Sequence, residues 1–110
     1  MHETGLIRAA VAAVVTAAGG RRVLHVTLAL GPGVGPDAAE QAWRQAAAGG
    51  PAEGARLAWR RARDGLACLG CGRDYPGDRL TRCPDCGGDG LVVSPAPEVE
   101  IVTWTAAPPS

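Results

Sequence analysis

Two cysteine pairs constrain this chain more than any other feature: Cys68-Leu69-Gly70-Cys71 and Cys83-Pro84-Asp85-Cys86, with eleven residues between them. A C-x-x-C turn offers two thiolates from one tight bend, and two such turns complete the tetrahedron that zinc prefers. Gly70, Gly72, Gly87 and Gly88 leave backbone amides free to turn toward sulfur, and Pro84 stiffens the second bend. The spacing predicts one structural zinc ion held by Cys68, Cys71, Cys83 and Cys86. Disulfides would suit the same spacing in an exported chain, but the opening Met1-His2-Glu3 lacks the basic region of a signal peptide. The expected compartment is therefore cytoplasmic, where thiols bind metal instead of pairing. Four sulfurs leave no open coordination position, which disfavours catalytic zinc, and they offer no single reactive thiol pair for redox work. Iron in a four-sulfur site is chemically possible.

The 110 residues fit one domain, or one domain with a small insert. A chain of this size buries only about two-thirds of the surface its unfolded form exposes. Its core is made mainly of Ala and Val, with no Phe, three Trp and one Tyr, so a metal crosslink matters for stability. Eleven arginines balance eleven acids, which excludes a general attraction to nucleic acid or to an anionic membrane. Within 66–90 three arginines face four aspartates, and Tyr75 is the one aromatic, so this segment lacks a nucleic-acid footprint. No apolar run approaches the ~20 residues that span a bilayer.

Periodicity supplies the remaining organisation. Ile7, Ala10, Val11, Val14, Val15 and Ala18 line one face of a helix from Thr4 to Ala18, stopped by Gly19-Gly20. Val23–Leu30 alternates as a half-buried strand, with Leu24, Val26, Leu28 and Leu30 inward and His25 outward. A Gly/Pro-rich connection, 31–36, leads into a second helix that buries Ala39, Ala42, Trp43 and Ala46. Residues 55–62 and 98–105 read as strands, the first with Leu57 and Trp59 inward. The second places Trp104 on the outer alternation, followed by a frayed tail from Ala106. The expected class is α+β: a small sheet of about three strands with two helices, interrupted by a zinc-ribbon-like insert. Residues 1–65 and 95–110 would form the main domain, and 66–94 the zinc module.

The amino terminus carries a second metal chemistry. A free α-amine, the amide nitrogen of residue 2 and the His2 imidazole can close chelate rings around one ion, and a planar nitrogen set suits Ni(II) or Cu(II) over zinc. By itself a lone His2 reads first as an exposed residue of a frayed end, and copper competes for the same nitrogen set. The order of features decides between these readings. Met1-His2-Glu3 leads into a helix and then a strand ending at Gly31. Val34-Gly35-Pro36-Asp37 opens the second helix, Ala52-Glu53-Gly54-Ala55 precedes a strand, and the double knuckle follows. In this the chain resembles the HypA family of hydrogenase nickel-incorporation proteins, from Met1 to Thr105.

The resemblance implies a nickel metallochaperone and not an enzyme. It implies Ni(II) cargo at Met1, His2 and Glu3, held by the imidazole and backbone nitrogens, beside a structural zinc site that communicates with it. It implies a GTPase partner of the nickel-insertion pathway and delivery to the [NiFe]-hydrogenase large subunit, with urease maturation a further possibility in the family. A monomer or weak homodimer is expected. The alternative is a zinc-ribbon adaptor that binds protein or nucleic acid with an idle amino terminus. The chain departs from the family pattern in a short, Gly/Pro-dense loop after Gly31, in Gly5 within the first helical turn, and in having no acid between Glu3 and Asp37.

Overall fold

The computed structural model describes residues 2–109, with side chains from Thr4 to Pro109. Helix α1, His2–Ala18, buries the stripe of Ile7, Ala10, Val11, Val14 and Ala18. It stops where Gly19 and Gly20 take φ of 62° and 86°, a left-handed conformation that glycine adopts without steric cost. Strand β1, Val23–Leu30, follows. Helix α2, Pro36–Ala47, starts with Pro36 in its first turn and Asp37 at its positive end, and turns off at Gly49, φ 78°. Strand β2, Arg56–Arg61, then lies parallel to β1, pairing from His25↔Arg56 to Leu30↔Arg61. Parallel neighbours need a crossover, and α2 provides it.

The described residues up to Arg61, joined by those from Glu98 onward, form one compact unit, and Ala62–Pro97 forms another. The first unit closes with β6, Val99–Ala106, antiparallel to β1, for a sheet order of β2-β1-β6. One core contains the stripes of both helices and the Val26, Leu28 and Leu30 face of β1, so both helices cover the same side of the sheet. Trp43 is its largest fully buried side chain, and its indole Nε1 has no hydrogen-bond partner. At the strand ends, Ala107 N–H donates to Arg22 O at 2.8 Å, so the chain stays paired past Ala106, where fraying was expected.

Two β-bulges correct the expected alternation. The β1–β6 register jumps between Val23 and His25, leaving Leu24 unpaired opposite Ala106 and Thr105. The extra residue reverses the phase: Val23 is buried, whereas Leu24, expected inward, is 48% exposed. A second jump pairs Thr27 with Thr103 and Leu28 with Ile101, so Val102 is the extra residue on β6. Beyond it Trp104, expected on the outer alternation, swings to the helix side and packs on the core, and Thr103 is exposed.

The second unit has its own three-stranded antiparallel sheet, β4-β3-β5: β3 Asp64–Cys68, β4 Asp74–Gly77 and β5 Gly90–Ser94. Its core is Leu66, Cys68, Tyr75 and Cys83, with Val92 against them. The unit begins earlier and ends later than the 66–94 segment read from the sequence, because Asp64 and Gly65 already pair with Gly77 and Pro76. At the other end, Asp64 Oδ1 accepts the Ala96 N–H. Tyr75 is buried, not free to stack, and its hydroxyl donates to Thr81 O at 2.7 Å.

Candidate metal centre

Each knuckle begins where a strand or loop delivers a cysteine and ends on a backbone turn only glycine takes easily. Cys68 closes β3, its own N–H donates to Arg73 O, and the N–H of Gly72, φ 78°, returns to Cys68 O at 3.0 Å. The second knuckle repeats the pattern: Cys83 N–H donates to Gly88 O, and the N–H of Gly87, φ 72°, to Cys83 O at 2.9 Å. Leu69 N–H donating to Asp89 O and an Arg73–Asp85 ion pair of 2.6 Å tie the two knuckles together.

The four Sγ atoms of Cys68, Cys71, Cys83 and Cys86 all lie within 4.8 Å of one another. The Cys68–Cys86 and Cys71–Cys83 separations are 3.4 and 3.7 Å. Sulfurs about 2.3 Å from a central tetrahedral ion would be about 3.8 Å apart, so the set fits such an ion. Among the described residues no other group of three or more His, Cys, Asp or Glu donors converges in this way. Gly70 and Gly88 lie beneath the sulfurs. A Cβ on Gly88 would stand 3.3 Å from Cys86 Sγ and 3.4 Å from Cys68 Sγ.

Electrostatics supports the same reading. The Cys71 N–H, at 3.3 Å from Cys68 Sγ, is the main influence bringing the Cys68 thiol down to about 6, with the Cys86 thiol and the Gly70 N–H helping against desolvation. The Arg73 N–H acts downward on Cys71, yet the sulfurs of Cys68 and Cys83 together with desolvation push it up to about 12. Cys86 is also raised: the Gly88 N–H lowers it, but the Cys68 thiol and desolvation prevail. Four thiols this close cannot all ionise unless a cation neutralises them, and amide dipoles already point at the sulfur that ionises first. With four sulfurs around it the ion would crosslink the fold and leave no position for a reacting molecule.

The cysteines expected from the spacing are thus brought together. The proposed nickel ligands are not placed: Met1 lies outside the described residues, and His2 and Glu3 enter only as backbone at the start of α1. His25 is exposed on the sheet face opposite the helices, as the alternation predicted. Sequence reasoning missed Arg73, Asp85 and the Tyr75–Thr81 contact. The sole signal for the last was a lone tyrosine one residue from Asp74 and Pro76, in a stretch that otherwise reads as turn.

Comparison with known proteins places these features in a wider set. Residues 1–105 match the model of the family described as "hydrogenase/urease nickel incorporation, metallochaperone, HypA". The hydrogenase maturation factors HypA of Geobacter metallireducens and Geobacter sulfurreducens are each 36% identical over 104 residues, covering 92% of this chain and 94% of the relative. The solution structure of the Ni metallochaperone HypA from Helicobacter pylori shares the fold, with a TM-score of 0.66, 13% identity, and coverage of 94% of this chain and 96% of that one.

Proposed function

We propose, from the premise that this chain belongs to the HypA family of hydrogenase/urease nickel-incorporation metallochaperones, that it carries Ni(II) at its amino terminus and hands it on for [NiFe]-hydrogenase maturation. The carrying observation is the family match, which begins at residue 1 and so includes Met1-His2-Glu3. The cargo ligands are the His2 imidazole and backbone nitrogens, including those of His2 and Glu3. Helix α1 starting at His2 supports this. The first amides of a helix have no carbonyl four residues earlier, so their nitrogens can ligate an ion without breaking the helix ladder. Deprotonated amides and an imidazole form the planar nitrogen set that suits nickel.

The tetrathiolate holds zinc, a closed site whose work is to fix the two knuckles. In this reading the residues up to Arg61 with those from Glu98 onward are the nickel-binding domain, and Ala62–Pro97 is the zinc module. The partners are a GTPase of the nickel-insertion pathway and the hydrogenase large subunit, and urease is a second possible recipient class. The protein works in the cytoplasm as a carrier without catalysis. Among the described residues no helix is long and apolar enough to cross a membrane.

Nickel titration of tag-free protein tests the proposal. About one nickel should bind beyond the tetrathiolate ion, diamagnetic and with a square-planar absorption band. His2→Ala, or an added N-terminal tag, should remove that nickel and leave zinc and fold intact. Retention of nickel at unchanged affinity in both would exclude the terminal site. Zinc-only protein in every form would favour the adaptor reading.

A further inference from the structure

In the strand order β2-β1-β6, the outer edge of β2 is one of the two strand edges of the first unit's sheet without a neighbour among the described residues, the other being that of β6. Every second residue of such an edge points its N–H and C=O outward, a ready template for another extended segment. Native edges are often guarded by charge, and this one carries it in an ordered form. Arg56, Ala58 and Arg60 project to the sheet face opposite the helices, in register with His25, Thr27 and Ala29 of β1. Leu57 and Trp59 lie on the opposite face, half-buried against the core.

Arg56 and Arg60 are both exposed, and no ion pair among the described residues involves either. The third arginine, Arg61, is also exposed, but it donates to Gly31 O at 3.4 Å. The acid nearest in register is Glu100, two strands away from Arg60 and so roughly 10 Å across the sheet. Thr27, Ala29 and Ala58 beside the arginines are small, and Thr27 and Ala29 are buried.

We propose that the β2 edge docks an extended acidic segment of a partner protein, added as a fourth strand. The carboxylates of that segment would pair with Arg56 and Arg60, and its apolar residues would cover Leu57 and Trp59. The pattern of the strand specifies the partner: acidic side chains on one face, apolar ones on the other, in period two. A bare basic patch would accept any polyanion. An edge with donors and acceptors in register accepts a peptide backbone, and this favours an acidic peptide over a nucleic acid.

The test uses the full-length, zinc-loaded protein and a blocked nine-residue peptide of alternating glutamate and valine. The expected result is saturable binding, with slowed amide exchange confined to the outward amides of β2. The charge-reversed R56E/R60E protein should bind that peptide roughly tenfold or more weakly, and should bind a lysine–valine peptide instead. A glutamate–valine peptide N-methylated at alternate residues keeps its charges but loses its edge donors, and should not bind. Equal binding of the methylated peptide, or equal binding by R56E/R60E, would overturn the proposal. So would exchange protection elsewhere than β2, or tighter binding of a single-stranded oligonucleotide of equal charge. No binding by any peptide would reduce the arginines to guards of the edge, and the proposal would fall.

Discussion

Gly90→Ala is the sharpest test of how the metal unit is packed. Gly90 opens β5 against the Tyr75 ring. An added Cβ would overlap the Tyr75 hydroxyl outright, stand 2.8 Å from its Cζ and meet Leu66 Cδ2 at 3.1 Å. A relaxed carbon contact needs about 3.5–4.0 Å, so the ring must retreat by close to an ångström or more. Tyr75 and Leu66 are both buried and have no slack. Retreat also strains the hydroxyl bond to Thr81 O, which holds the 78–81 turn whose own bonds join Asp78 and Thr81. Overpacking costs about 1–3 kcal/mol, and a lost hydrogen bond about 1 kcal/mol more, for a total of roughly 2–4 kcal/mol. Amide exchange at Leu66 and Cys68 should therefore accelerate by roughly 30- to 1,000-fold where it follows opening of this unit, while β1 amides keep their rates. Adding Tyr75→Phe removes the overlapping oxygen and should recover part of the loss. The packing argument fails if Gly90→Ala changes those rates less than about threefold, or if Tyr75→Phe recovers nothing.

Three further outcomes follow from the geometry. Cys71→Ser should weaken retention of the tetrathiolate ion against a chelator by more than about 100-fold, since loss of an outer-shell partner alone costs 10–100-fold; full metal content would exclude Cys71 as a ligand. Affinity at the same site should rise with pH: Cys71 and Cys86 titrate above the usual thiol value, so an incoming ion must displace their protons. Equal affinity at about pH 6.5 and about pH 8 would contradict the clustered-thiol account. Deleting Val102 removes the extra residue and leaves Thr103 opposite Thr27 and Trp104 opposite Val26 in simple alternation, so Trp104 should stay on the core and its emission should keep its wavelength; a red-shifted emission would show that Val102 is not the residue that sets the phase.

What the sequence disclosed depended on whether local pattern or pairing decided each feature. The helices were legible because their stripes are written every three or four residues, and Gly19, Gly49 and Pro36 mark their ends. The knuckles were legible because thiolate spacing is itself the coordination chemistry. The two bulges were not, since an extra residue on one strand exists only relative to its partner, and Leu24 and Trp104 were assigned to the wrong faces for that reason. Strand β4 was hidden too: Asp74-Tyr75-Pro76-Gly77 has turn composition and is extended because β3 pairs with it. Arg73 and Asp85 meet only after the knuckles fold together. The proposed cargo ligands were named by their order along the chain and by family resemblance, which carry no geometry.

The register around Leu30 has a mechanical consequence. Leu30 faces Arg61, the last residue of β2, on one side and Val99, the first of β6, on the other. The segment bearing the four cysteines is thus strung between two anchor points at a single end of one sheet, roughly 10 Å apart. Helix α1 is about 25 Å long, β1 about 26 Å, and only residues 19–22 join them. The helix therefore folds back along the strand. Any force that spreads or twists the ends of β2 and β6 is borne first at Leu30, the one residue of β1 that holds both.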